Sequence, residues 1–315
     1  MPKKQASPKQ PFTSILCAVD FSPQSEVALH YAAVVAARAR GRLHLLYVND
    51  PTLVAAAAIE LGNRGLAAAS RAELQQLVAR TLEPRSTEGI VIRCHSETGE
   101  PARAIAATAA RLRCDLVVTG THGLSGVDKV LLGSTTERLL RLTPVPMLMV
   151  PPYLSEAVGG MAPVRGWPGP TIMVPLDLRP ESAQDIRDAA AVARAWGTDL
   201  LVVHVVPQRT APPWYRADLS AQARLQVEKA RLQLDTLLAG AGDVKVDVRV
   251  LVGSPADELA AVAAEQRVSV VMMHLRKGPG LFGARAGSLA YYVLRQTVTP
   301  VLAVPDRGRP ARARR

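Results

Sequence analysis

The chain has 315 residues, 48% of them hydrophobic and 21% charged, so it is long enough for two average domains and too apolar to be disordered throughout. No apolar run reaches the roughly 18 residues of a membrane span, and the basic start Met1–Pro8 has no apolar core behind it, so neither a membrane anchor nor a signal peptide is expected. The net charge of +11 resembles a nucleic-acid signal until it is located. Most of it sits on Lys3, Lys4 and Lys9 and on Arg307, Arg309, Arg312, Arg314 and Arg315, in Pro-rich ends that look disordered and make at most weak contact with nucleic acid.

The elements follow in chain order. Ser14–Val19 is a short apolar run and a strand. Ser22-Pro23 has the chemistry of a helix cap and first turn, and that helix runs to Arg40 with Gly41 as its stop. Leu43–Val48 is a second strand, Leu66–Leu82 a helix, and Ile90–Cys94 a third strand. Pro101–Leu112 is a helix opened by proline, and Leu116–Thr119 a fourth strand. A Gly-rich loop over 120–133 leads into a helix at Ser134–Leu142, and Pro146–Val150 closes the unit. The same alternation recurs at 171–177, 181–196, 200–206, 215–239, 244–252, 255–266, 268–273, 288–296 and 300–304.

The recurrence is a duplication. Gly99-Glu100-Pro101-Ala102 aligns with Gly253-Ser254-Pro255-Ala256, and the same offset holds without a gap to Val150 and Val304, pairing Gly133-Ser134 with Gly287-Ser288 and Pro146 with Pro300. Ile15–Asp20 likewise stands opposite Ile172–Asp177. The expected organisation is a basic tail (1–12), a first domain (13–151), a Pro/Gly-rich linker (152–170), a second domain (171–305) and a second basic tail (306–315). Each domain is expected to be α/β, a five-stranded, mainly parallel sheet with helices on both faces. Pairing the last segments of the two copies, Val145–Val150 and Thr299–Val304, would cover two otherwise exposed edges and make an internal pseudo-dimer; a homodimer stays open. Cys17, Cys94 and Cys114 fit neither a disulfide framework nor a metal knuckle, and reduced thiols in a cytoplasmic protein are expected.

Ligands of such sheets sit beyond the carboxyl ends of the strands, where the first copy carries its informative loop. Gly120 and Gly123 let backbone approach a ligand without a Cβ in the way. Gly133 delivers the chain into a helix whose first N–H groups, on Ser134, Thr135 and Thr136, have no intrahelical partner and favour phosphate oxygens. Asp20 ends the first strand on the same edge, where it can accept from a ribose hydroxyl or serve as the turn residue before Ser22-Pro23. His122, Lys129 and Arg138 are weaker candidates. There is no Gly-Lys-Ser/Thr phosphate motif, paired catalytic carboxylate or His/Cys cluster, so a regulatory binding protein is expected rather than an enzyme, with no catalytic or metal-ligating residues.

These motifs resemble the universal stress proteins in their tandem-domain form. The family's ATP-binding pattern, Gly-x2-Gly-x9-Gly-Ser/Thr, is matched by Gly120, Gly123, Gly133 and Ser134. Val19-Asp20-Phe21-Ser22 and the Pro-Val-Pro ending at 144–150 match as well. The resemblance implies a Rossmann-like, adenine-nucleotide-alpha-hydrolase-like fold that binds ATP, with Mg²⁺ arriving on the nucleotide. By position, Ala18, Asp20 and Val48 would frame adenosine, with Gly120 at the ribose, while Gly123, Gly126, Gly133, Ser134, Thr135 and Thr136 would hold the triphosphate. The second copy departs from the pattern: His274 and Lys277 replace the first two glycines, and Asp177-Leu178-Arg179 stands where Asp20-Phe21-Ser22 stands. One nucleotide per chain, in the first copy, is therefore expected. The other reading is an interaction module built on the paired domains.

Overall fold

The computed structural model describes residues 10–60, 62–121, 133–151, 166–208, 219–275 and 289–305. The second basic tail, residues 1–9 of the first and most of the expected linker lie outside these residues; Phe12, expected in the first tail, is instead buried and lies 6.1 Å from Trp196.

The first half runs β1 (Ser14–Ala18), α1 (Pro23–Ala39), β2 (Arg42–Asn49), α2 (Pro51–Glu60), α3 (Gly62–Thr81), β3 (Val91–Thr98), α4 (Pro101–Arg111), β4 (Leu116–Gly120), α5 (Ser134–Leu142) and β5 (Met147–Val150). The second runs β6 (Thr171–Pro175), α6 (Ser182–Trp196), β7 (Asp199–Pro207), α7 (Leu219–Leu238), β8 (Val246–Gly253), α8 (Pro255–Glu265), β9 (Val270–Leu275), α9 (Leu289–Gln296) and β10 (Val301–Pro305). Strand order is β3-β2-β1-β4-β5-β10-β9-β6-β7-β8 in one ten-stranded sheet. Within each half the recorded pairs are parallel, as strand–helix–strand crossovers require. The join between the halves is antiparallel, with Leu148 opposite Leu302 and Met147 opposite Ala303. The two five-stranded sheets thus cover each other's exposed edge.

The central strands carry unbroken apolar runs because helices bury both faces: every residue of β1, β4 and β5 is buried. Ile15 and Cys17 face one layer, together with α1, and Leu16 and Ala18 face the other, together with α4. The first layer continues across the join. Trp167 packs edge-on against Tyr31 of α1 at 4.8 Å and lies 5.1 Å from Trp196 of α6. The Arg38 guanidinium donates to the Trp196 carbonyl at 2.8 Å. Trp167 falls in the stretch expected as linker, yet it is buried and its indole N–H donates to the Ser269 carbonyl at 2.9 Å.

Helix ends explain where the sequence reading holds and where it slips. Ser22 caps α1, its side chain accepting from the Ser25 N–H at 3.2 Å, with Pro23 in the first turn. The left-handed stop of α1 is Arg40, at φ 47°, and not Gly41. Gly41 is required for a different reason: a Cβ there would stand 2.5 Å from the Thr13 carbonyl oxygen. In the second half the stop is a glycine, Gly197, at φ 68°. The single helix expected at 66–82 is instead preceded by α2, which begins at Pro51. Its start is set by Asp50, whose carboxylate accepts from the Thr52 N–H at 2.7 Å.

Candidate functional site

In the first half the strand order reverses between β1 and β4, and at this switch point neighbouring crossovers leave on opposite faces and part to form a crevice. A cavity of about 460 Å³ opens there, at the carboxyl ends of β1, β2 and β4. Its walls include Ala18, Asp20, Leu46, Val48, Pro101, Ile105, Gly120, Gly133, Ser134, Thr135 and Thr136. Eight of the ten residues singled out in the sequence therefore converge on one cleft; Gly123 and Gly126 lie outside the described residues. So do His122 and Lys129. A hollow of about 580 Å³ elsewhere, between the ends of β7 and β8 and helix α7, is larger. It sits at the outer edge of the sheet, away from either switch point, and the first cavity carries the chemistry.

Two levels of structure build the polar end. The Gly-rich segment leaves at Thr121 and returns at Gly133, whose N–H donates to the Thr121 carbonyl at 2.8 Å, closing the base of the loop. Gly133 is the N-cap of α5 and provides no side-chain cap. The contrast with α4 is informative. There, Glu100 accepts from the Ala102 and Arg103 N–H groups at 3.2 and 3.1 Å, satisfying the helix start from within. At α5 the first-turn N–H groups of Ser134, Thr135 and Thr136 border the cleft, where the positive end of the helix dipole attracts an anion. Thr136 is buried, and its hydroxyl donates to the Gly120 carbonyl at 3.0 Å, so this side chain ties α5 to the end of β4.

Asp20 performs the turn role left open by the sequence: its carboxylate accepts from the Ser22 N–H at 3.1 Å and from the Ser22 hydroxyl. The same bonds fix it on the rim of the cleft. Arg138 pairs with Glu100 at 3.2 Å. Desolvation works against ionisation of Glu100, but the Arg103 and Ala102 N–H groups and the Arg138 guanidinium outweigh it and hold the carboxyl below its ordinary value. The apolar floor was not foreseen as part of the site. Leu46 and Ile105 supply it, one from β2 and one from α4, and only the register of the folded sheet brings them together. Asp50 also lines the cleft.

The second half repeats the backbone without the cleft chemistry. Phe21 and Leu178 both take a left-handed conformation, at φ 63° and 55°, so the turn after the first strand is the same in each copy. The side chains differ. Arg179 Nε lies 2.8 Å from the Asp177 carboxylate, which is nearly buried. His274, at the position of Gly120, lies against Asp188 at 3.4 Å and Asp185 at 3.7 Å. Lys277, Gly287 and Ser288 lie outside the described residues.

A doubly wound sheet with helices on both faces, duplicated and joined edge to edge, defines a tandem-domain α/β class of protein. The universal stress protein family model matches residues 11–151 and 170–305. A universal stress protein of Mycolicibacterium smegmatis is 28% identical over 305 residues, covering 93% of this chain and 97% of that protein. Among solved structures, a Pseudomonas aeruginosa protein described as functionally unknown superposes with a TM-score of 0.63 at 20% identity, over 93% of this chain and 92% of that one. A universal stress protein of Archaeoglobus fulgidus does so with a TM-score of 0.59 at 20% identity, over 92% and 95%. The chain belongs to the universal stress protein family.

Proposed function

We propose that the first domain binds an adenine nucleotide, ATP with its Mg²⁺, and that the protein regulates rather than catalyses. The observation that carries this reading is the glycine-capped start of α5, turned toward a cleft at the switch point of the sheet. In this reading the N–H groups of Ser134, Thr135 and Thr136 meet phosphate oxygens, as do Gly123 and Gly126 of the loop. Asp20 and Gly120 meet the ribose, and Ala18 and Val48 enclose the base against the apolar floor. In this reading the Mg²⁺ arrives on the phosphates and keeps much of its water. Binding phosphate is not hydrolysing it: a hydrolase needs a base or a residue that orients the attacking water, and the reading assigns none. No described helix is long and apolar enough to cross a membrane, and a cytoplasmic location belongs to the same reading.

Acid extraction of the purified protein tests it. About one adenine nucleotide per chain, or titratable ATP binding after extraction, supports the reading; neither in the native, folded chain removes it. The antiparallel β5–β10 join favours a second role beside the first. It makes the paired domains one continuous sheet, on which a nucleotide-independent interaction could be built.

A further inference from the structure

Beside the cleft, on the same face of the sheet as Leu46 of its floor, lies a histidine pair that nucleotide binding does not use. His44 of β2 and His95 of β3 meet through Nδ1 and Nε2 at 2.9 Å, with rings tilted by 40°. His44 is 3% exposed, and its other nitrogen, Nε2, is buried without a hydrogen-bond partner. The pair is two residues out of register, a diagonal contact on one face, because His44 stands opposite Arg93 and Leu46 opposite His95. Both rings lie on the α4 side of the sheet, His44 two residues before Leu46 and His95 opposite it, and Leu46 lines the cleft. The charged groups that act on them are cationic on balance: Arg42 from β2, Arg93 from β3 and Arg111 from α4 against Glu97 of β3. Glu97 is itself held by Arg111.

One proton suffices for an N–H···N bond between two neutral imidazoles. A first added proton places a cation among three arginines and in contact with the buried ring. A second leaves two N–H donors facing each other at 2.9 Å, which breaks the contact. We propose that the His44–His95 pair is an acid-operated latch beside the cleft: while one nitrogen of the contact is unprotonated, it ties β2 to edge strand β3 beneath α4; doubly protonated, it gives up that tie, loosens the edge and weakens the hold on the anionic ligand. The second half of this proposal rests on the nucleotide reading above; the first half does not.

The titration agrees in sign. Burial, then His95, Arg42 and Arg93, lower the His44 pKa from 6.5 to about 4. Burial, then Arg111 and Arg93, also lower that of His95, against the opposite pull of Glu97. A base whose folded pKa is depressed takes up protons more readily unfolded. Stability is therefore intact above about pH 6.5 and is lost as the pH falls toward about 4.

The test uses the full chain without nucleotide, then with ATP. Hydrogen exchange, corrected for its intrinsic pH dependence, is expected to quicken about tenfold or more in β3 and α4 between pH 7.5 and 5.0, each pKa unit of difference being worth tenfold. Strands β9 and β10 should not follow. In the double variant His44→Leu, His95→Leu the β3 response should disappear, and with it the excess loss of ATP affinity over that caused by protonation of ATP itself. Equal pH responses in wild type and variant overturn the latch. Absence of ATP binding at every pH removes the nucleotide reading and leaves the exchange result to decide the latch. If the variant does not fold, the imidazole resonances of the wild type decide: titration of both near pH 6.5 overturns the proposal, and depressed titration supports it.

Discussion

The Thr136 hydroxyl donates to the Gly120 carbonyl at 3.0 Å, joining the first turn of α5 to the last residue of β4 across the base of the Gly-rich loop. Two residues proposed to touch a ligand are thereby held at a fixed separation before any ligand arrives. Thr136→Val keeps the shape and removes one of two hydroxyl donors to this carbonyl, the Thr119 hydroxyl at 3.1 Å remaining. The expected cost is about 0.5–1.5 kcal/mol in a denaturant titration, the net worth of one hydrogen bond. Thr136→Ser should recover most of it. A Val variant as stable as wild type would mean that the bond holds nothing.

Gly133 predicts two effects of opposite sign. Its φ of −56° and ψ of 140° suit an aspartate cap. Gly133→Asp would satisfy the start of α5 from within, as Glu100 does for α4, and should stabilise the fold by about 0.3 kcal/mol. The same carboxylate occupies the anion position and repels phosphate, so ATP affinity should fall about a hundredfold or more, about 2.7 kcal/mol. Thermal unfolding and calorimetric titration read the two effects separately. Unchanged affinity would show that phosphate lies elsewhere.

Much of this was legible in the sequence, for local reasons. Strands, helix starts and the loop follow from short-range pattern: the apolar run Ser14–Ala18, the Ser22-Pro23 cap, the glycines at 120 and 133. The duplication supplied the edge pairing, because two like sheets each with a bare edge strand have an obvious mutual solution. What escaped notice depends on contacts distant along the chain. Ile105 and Leu46 meet only once α4 lies on β2, and His44 finds His95 only through the β2–β3 register. Asp50 is a different case. Its capping of α2 is local and could have been read from Asp50-Pro51, but the Ala-rich stretch after it shows weak amphipathic contrast.

Leu302 predicts what holds the halves together. It is fully buried opposite Leu148 in the antiparallel join. Leu302→Lys places a charge there with no carboxylate paired to it across the strands, at a cost of several kcal/mol. The expected result is separation of the domains or aggregation, seen as a larger radius of gyration in small-angle scattering. Unchanged compactness would assign the cohesion to the Trp167–Trp196–Tyr31 cluster instead.

The last prediction concerns the inequality of the two copies. Their turns share one backbone conformation, with Phe21 and Leu178 both left-handed, so the difference lies in side chains. Asp20 turns its carboxylate to the local Ser22, a small neighbour that leaves the rim open, whereas Asp177 is bound by Arg179 at 2.8 Å. At the end of the fourth strand, Gly120 has no side chain, whereas His274 carries an imidazole that lies against Asp185 and Asp188. A ligand entering the second copy would have to displace an ion pair and a histidine from carboxylate contacts. Calorimetry should therefore find one ATP per chain. Gly123→Val should abolish that site by crowding, since a branched Cβ stands where the backbone must approach phosphate. Lys277→Gly alone should create no second site, because Arg179 and His274 remain; the triple variant Arg179→Ser, His274→Gly, Lys277→Gly is the one in which a second, weaker site should appear. Two equal sites in the wild-type chain, or one site lost on changing Gly287 and untouched by changing Gly133, would overturn the assignment.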